Sequence, residues 1–352
     1  MSTLLTAVIK RIPRAPMFLY DLIVGNRSPV LSGNSKIRFQ LFKAGKKLAP
    51  ITTRTAGGVI MTHTGFTDWE MEAPLLGPMW DMSEAYETGA PGEDQWFSID
   101  ESGQAVQQTT ANRVEAWRAL RLAEGQEAIR RRIEWMLAQQ LTTGSIVLTG
   151  RGGYSQTIDL GFDNTVSDLT AWDNASGDPI ADLLTLRDEA ANAGVPIPNV
   201  LVMASDTASA FVSNAKVKAR LENNVSQLDP IFGQAPLNYP GAYRVGYIRE
   251  LDVMAYAYGA TYTSDAGATT SFIPTGRAVF FPSRERNEAM AAYGAIRDAR
   301  DNRWYSGEYY VREFAGIDGH TEFLEVNSRP VACLCEVESW YSLSSLITPP
   351  GT

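Results

Sequence analysis

The sequence predicts an α+β fold, and three observations carry that expectation. Residues 109–141 repeat apolar side chains at three- and four-residue spacing, which is the signature of one long amphipathic helix. Residues 200–222 read as a buried strand running directly into a helix. The remainder of the second half breaks into short strand-like runs separated by prolines and glycines, so helices and strands are segregated rather than regularly alternating.

The opening segment, residues 1–16, reads as an arm, with Pro13 and Pro16 opposing regular structure. Residues 37–42 alternate Ile37, Phe39 and Leu41 with polar neighbours, as a strand does. Residues 45–77 hold Thr52, Thr53, Arg54 and Thr55, then Gly57-Gly58, then Val59, Met61, Phe66 and Trp69. β-Branched residues around a double glycine predict a long extended hairpin. Polar on both faces, it has no obvious core to cover, and its own cross-strand pairs return less than its ordering costs. The expectation is an intersubunit clamp, with Thr53, Arg54, Phe66 and Trp69 as contact candidates.

Past a Gly-, Pro- and Asp-rich connection, the long helix carries Val114, Trp117, Leu120, Ile129, Ile133, Met136, Leu137 and Leu141 on one stripe. Asn112 with Glu115 forms a capping pattern, Glu127 with Arg131 an i,i+4 pair, and Gly125 marks a place to bend. About 30 residues at 1.5 Å each make a rod of roughly 45 Å. A hairpin is expected around Gly152. The next helix is punctuated by Asp178 as cap, Pro179 in its first turn and Gly194 as its stop. Strand 200–203, helix 205–222 and strands 251–258, 278–281, 322–326 and 331–337 complete the reading, ahead of a Pro-Pro-Gly tail.

Composition narrows the function. The chain has 352 residues, 44% apolar and 20% charged, enough for two domains with substantial cores. Lys and Arg number 31 and Asp and Glu 40, a net charge of −9, which disfavours tight binding to nucleic-acid phosphates. No apolar run is long enough to cross a bilayer. Lys10, Arg11 and Arg14 follow the first apolar run instead of preceding it, the wrong order for a secretory signal, so a cytoplasmic origin is expected.

Chemistry is scarce. There are two histidines, His63 and His320, and two cysteines, Cys333 and Cys335, so neither a metal centre nor a nucleophile–base pair assembles naturally. Cys333 and Cys335 share one face of a strand and read as reduced, buried small hydrophobes. Gly150-Arg151-Gly152-Gly153 lies between two alternating runs, where a turn explains its glycines better than a phosphate does. Asp298 and Asp301, flanked by Arg297, Arg300 and Arg303, read as surface ion pairs. No cofactor, metal or catalytic residue is predicted.

The order of elements, and a collinear set of local strings, resembles the lambda-like tailed-phage major capsid proteins, the phage major capsid protein E family. The strings include Asp159-Leu160-Gly161-Phe162, Asp178-Pro179 before a helix ending at Gly194, and Lys216-Val217-Lys218-Ala219-Arg220-Leu221. Later ones are Ala278-Val279-Phe280, Tyr293-Gly294-Ala295-Ile296-Arg297-Asp298-Ala299 and Arg312-Glu313-Phe314. They span most of the chain from about residue 45 onward; the region 80–110 is the least similar part.

The resemblance implies the tailed-phage and herpesvirus capsid fold of the Hong Kong 97 type. Its partition would give an arm at 1–35, a peripheral-domain strand at 36–45 and the extended loop at 46–76. A peripheral domain would follow at 77–196, with spine helix 110–141. An axial domain at 197–322 and peripheral return strands with a tail at 323–352 would complete it. The implied role is a structural, non-catalytic subunit that forms hexamers and pentamers of an icosahedral head around double-stranded DNA. The implied partners are further copies of itself, a separate scaffold protein, a portal and a cementing protein, with assembly in the host cytoplasm and residence in the virion. Lys46 and Lys47 sit near the loop base, but no crosslink is expected.

Two other readings compete. An encapsulin-type compartment would use the same fold around an enzyme cargo, and purified particles containing protein cargo instead of DNA would favour it. A soluble metabolic enzyme with dispersed carboxylates would instead be a small monodisperse oligomer.

Overall fold

The computed structural model describes residues 14–42, 66–82, 97–99, 105–107, 110–150, 153–159, 161, 164–223, 239–264, 267–317, 321–334 and 336–348. Its α-helices are α1 (Phe18–Ile23), α2 (Thr110–Thr143), α3 (Pro179–Ala193), α4 (Ser205–Ser213) and α5 (Ala215–Asn223).

A six-stranded mixed sheet forms the centre. Its strands run in the order Ala242–Ile248, Val253–Tyr258, Val200–Met203, Ala278–Phe281, Tyr341–Leu343 and Thr165–Val166. Val200–Met203 and Ala278–Phe281 are buried at every position, because both faces of the sheet are covered. Alternation sorts their side chains. Val200, Val202, Val279 and Phe281 join the core around α2, whereas Leu201, Met203, Ala278 and Phe280 join a second core under α3 and α4. The arrangement is therefore three layers: long helix, sheet, short helices.

The long helix α2 has 34 residues, a rod of about 50 Å. Ile129, Ile133, Met136, Leu137 and Leu141 face the first core, while Val114 and Trp117 pack with Met82 and Leu324 nearer its start. Gly125 does not interrupt it. The helix runs through, and a Cβ at Gly125 would sit 3.0 Å from the Trp80 ring and 3.2 Å from Val326, so the glycine permits close packing against a neighbouring sheet. Asn112 lies inside the helix and is not its cap. Glu127 pairs with Arg130 at 2.9 Å instead of forming the expected Arg131 pair, and its other oxygen accepts from the backbone N–H of Ala15. Buried Gln140 completes an edge strand: its amide donates to Leu334 O at 3.0 Å and its carbonyl accepts from Leu334 N at 3.2 Å.

The punctuation of α3 holds as expected. Asp178 Oδ1 accepts from Ala181 N at 3.1 Å, Pro179 fills the first turn, and Gly194 stops the helix at φ 71°. The two runs flanking the expected turn also pair antiparallel, Ser145–Thr149 with Ser155–Asp159.

Other expectations need correction. Helix 205–222 is two helices, α4 and α5, broken at extended Asn214. The buried Asn214 amide donates to Trp172 O and Gly177 O, and its carbonyl accepts from Lys216 N at 2.9 Å, so the break is fixed by capping and tertiary bonds. The arm is not wholly extended: α1 forms within it, with Phe18, Leu19, Ile23 and Val24 in the main core. The strand expected over 331–337 is Pro330–Leu334, and Val337 starts a 3₁₀ turn, Val337–Ser339. A further strand, Tyr341–Leu343, then enters the central sheet. Asp298 and Asp301 accept from the hydroxyls of Tyr310 and Tyr305 and from backbone amides, rather than forming the expected ion pairs. Cys333 lies opposite Met290 in its strand pair; its side chain and all of Cys335 fall outside the described residues, as do His63 and His320.

Candidate functional site

The hairpin predicted as a clamp begins as a regular ladder. Strand Lys36–Phe42 pairs antiparallel with Phe66–Glu72 over seven residues each, from Lys36 opposite Glu72 to Phe42 opposite Phe66. Trp69 stands opposite Phe39 in this register. Thus Phe66 and Trp69 both lie on the returning strand. Thr53 and Arg54 fall outside the described residues, within 43–65.

The foot of this ladder is built into the subunit. Ile37, Met71 and Ala73 belong to the main core, and Ala73 N donates to Ser35 O at 3.0 Å. Gly294 admits the foot closely, since a Cβ there would stand 3.0 Å from Ala73 Cβ and 3.2 Å from Ser35 O. Gln156 donates to Glu72 O at 3.2 Å, tying the foot to the neighbouring hairpin. Alternation places Ile37 and Met71 inward and leaves Lys36, Arg38 and Glu70 in solvent.

On that outer face Glu70 receives Lys36 Nζ at 2.6 Å and Arg38 Nη2 at 2.6 Å. Hydrogen bonds from both cations hold its carboxyl down at about 2, and the same Glu70 contact raises the Lys36 ammonium. These are solvent-exposed pairs, so they set the strand's polarity and register more than its stability.

Exposed apolar side chains mark further surface that the sequence reading did not single out. Val30 and Leu31 form an edge strand beside Ala292 and Tyr293, and both are about half exposed at 51% and 50%. Trp304, Val311 and Ile317 are exposed on the strands and turn between residues 303 and 317. The available sequence signal was local: Val30-Leu31 follows Pro29, and Val311 alternates with half-buried neighbours.

Among the described residues, no cluster of His, Cys, Asp and Glu is suited to hold a metal, and no helix is long and apolar enough to cross a membrane. Buried Glu134 is committed to the arm, accepting from the backbone N–H groups of Leu19 and Tyr20 at 2.7 and 3.0 Å and from the Tyr258 hydroxyl at 2.9 Å.

The architecture matches known structures. A protein of Escherichia coli CFT073, assigned as a prophage capsid protein, superposes with a TM-score of 0.61 at 16% identity, covering 99% of each chain. A phage-related protein of Bordetella bronchiseptica RB50 gives 0.48 at 12% identity, covering 99% of this chain and 98% of that one. The holo-SrpI encapsulin complex of Synechococcus elongatus PCC 7942 gives 0.46 at 11% identity, covering 97% and 91%. The fold is the Hong Kong 97 type of phage capsid proteins. No curated protein matches the sequence. The family model described as phage major capsid protein E matches residues 2–344, and with a match of that extent the chain belongs to that family.

Proposed function

We propose that this major capsid protein builds its shell by a clamp-and-core division of labour. The three-layer body is the brick, and the segment between the two legs of the 36–42/66–72 ladder reaches a neighbouring copy. The observation that carries this reading is the foot: Ile37, Met71 and Ala73 are rooted in the core while the outer face of the ladder is charged and exposed. Such a hairpin has a fixed base from which to present a contact. Thr53, Arg54, Phe66 and Trp69 are the proposed contact residues.

In this reading one chain occupies both hexamers and pentamers, so its contacts are repeated and tolerate small rotations. Arm, extended loop, peripheral domain and axial domain divide the chain as the resemblance implies, with the axial domain at 197–322. The subunit is structural and performs no catalysis. A net charge of −9 suits a wall that encloses double-stranded DNA without gripping its phosphates. Assembly takes place in the host cytoplasm with a scaffold protein and a portal, and a cementing protein covers the finished shell.

Sedimentation and electron microscopy of the full chain co-expressed with its scaffold test this directly. Closed particles hundreds of Å across are expected; species no larger than tetramers would overturn the reading. Particles filled with a protein cargo in place of DNA would turn it toward an encapsulin-type compartment.

A further inference from the structure

Glu134 has no exposed surface, lies in the C-terminal half of the 34-residue helix α2, and directs its carboxyl at a segment more than 110 residues away. Helix α1 has no side-chain cap of its own, since Met17 provides none. Two of its free backbone donors, Leu19 N and Tyr20 N, go to the two oxygens of Glu134. Two turns earlier on α2, Glu127 accepts from Ala15 N. Residues 14–24 are therefore fastened along one stripe of the long helix by two carboxyl groups, and Phe18, Leu19, Ile23 and Val24 fill the core beneath.

The surroundings of Glu134 do not supply a compensating cation. From α1 the charged group acting on it is Asp21, an anion, itself bonded by the Tyr239 hydroxyl at 2.6 Å. From strand Val253–Tyr258 comes the Tyr258 hydroxyl, and Arg284, from the loop after Ala278–Phe281, acts on Tyr239. On α2 itself Arg130 is engaged by Glu127. The Tyr258 hydroxyl lies 2.9 Å from Glu134 Oε1 and 3.2 Å from Pro16 O. That geometry accommodates either protonation state. A carboxylate accepts from Tyr258; a carboxylic acid donates to Tyr258, whose own proton then turns to Pro16 O.

We propose that Glu134 is a proton-operated latch for the arm: with its carboxyl protonated, residues 14–24 lie closed on α2, and loss of that proton to solvent loosens them. Burial is the dominant influence on this carboxyl and outweighs the three hydrogen bonds that favour its charge, pushing it up to about 8. The latch works within one subunit and does not depend on the shell reading.

Hydrogen–deuterium exchange of the full chain, read on peptides covering 14–24 and corrected with strand Val200–Met203 as internal reference, tests it. Between about pH 6 and about pH 9, protection of 14–24 is expected to fall about tenfold or more while the reference holds. Glu134→Gln should flatten that profile. Tyr258→Phe, by removing a bond that favours the charged form, should move the midpoint to higher pH. A flat native profile would overturn the latch, as would a Glu134→Gln chain with the native pH dependence. If Glu134→Gln does not fold, the Tyr258→Phe midpoint decides: an upward shift supports the latch and an unmoved midpoint refutes it.

Discussion

The arm and the hairpin foot are both excursions from the body, and the chain secures them by opposite means. Residues 14–24 are held from the inside. Phe18 sits among Tyr239, Tyr256 and Tyr258, with ring centroids 5.7, 5.4 and 5.2 Å away, and its helix is capped by a buried carboxyl group. The ladder of 36–42 with 66–72 buries its foot at Ile37 and Met71, yet carries its ion pairs in solvent. Removing apolar contact from the first region opens a cavity in the core. Removing charge from the second changes a surface. The arm's inner half thus belongs to the fold, while the ladder's outer face carries its charge in solvent.

The sharpest way to break this contrast is Phe18→Ala. Truncating a fully buried aromatic costs about 3–5 kcal/mol through lost transfer energy and a residual cavity. Urea denaturation of the subunit should show a loss of that order, and a loss below about 1 kcal/mol would mean the arm is not part of the core.

The second test uses pH. Burial pushes the Glu134 carboxyl up from the ordinary 4.5 to about 8 in the folded chain. A carboxyl whose folded value is raised contributes fully to stability while both states are protonated, and that contribution is lost as pH climbs toward the folded value. Stability should therefore decline between about pH 4.5 and about pH 8, by up to several kcal/mol. In Glu134→Gln that decline should disappear, at the cost of one hydrogen bond, about 1 kcal/mol, at low pH. A decline of native size in the variant would assign it to other groups.

A third substitution probes how tightly the layers meet. Gly125→Leu places a branched side chain where even a Cβ would lie 3.0 Å from Trp80, so overpacking should cost about 1–3 kcal/mol despite better helix propensity. A gain in thermal stability would show that the close approach is not enforced.

These positions also show what was legible in sequence. The apolar stripe of α2, the Asp178–Gly194 punctuation and strands 200–203 and 278–281 are local periodicities, and they are where the structure agrees most closely. What escaped depends on distant partners. Helix α1 follows two prolines and has its cap on Glu134; the break at Asn214 is fixed by Trp172 and Gly177; strand Tyr341–Leu343 exists because Ala278–Phe281 and Thr165–Val166 flank it. The close packing at Gly125 escaped for the same reason, since it lies in what packs against that position. For the candidate site, the alternation of Ile37, Phe39 and Leu41 announced the outgoing strand, but not that Met71 and Ala73 are core residues.

On the outer face of the ladder the expected effect is smaller. Glu70→Gln removes both pairs with Lys36 and Arg38 but opens no cavity, and exposed pairs are screened by salt. Melting temperature at physiological ionic strength should stay within error of the native chain. A clear drop would mean that the ladder is part of the subunit's stability after all.

The least effect on the subunit, and the greatest on the assembly, is expected from shortening the hairpin. Because Met71 and Ala73 are rooted in the core, a cut must spare the ladder: residues 44–64 should be replaced by a short glycine linker joining the strand ends near Phe42 and Phe66. The seven paired residues on each leg keep their register, and the foot keeps Ile37, Met71 and Ala73. Loop closure varies only weakly with length, so the unfolding free energy should shift by about 1 kcal/mol or less. Shell formation with scaffold, followed by light scattering, should be lost. The two readouts separate the roles: intact melting without particles supports a clamp, normal particles would remove it, and a subunit that no longer folds would return the hairpin to the core alongside the arm.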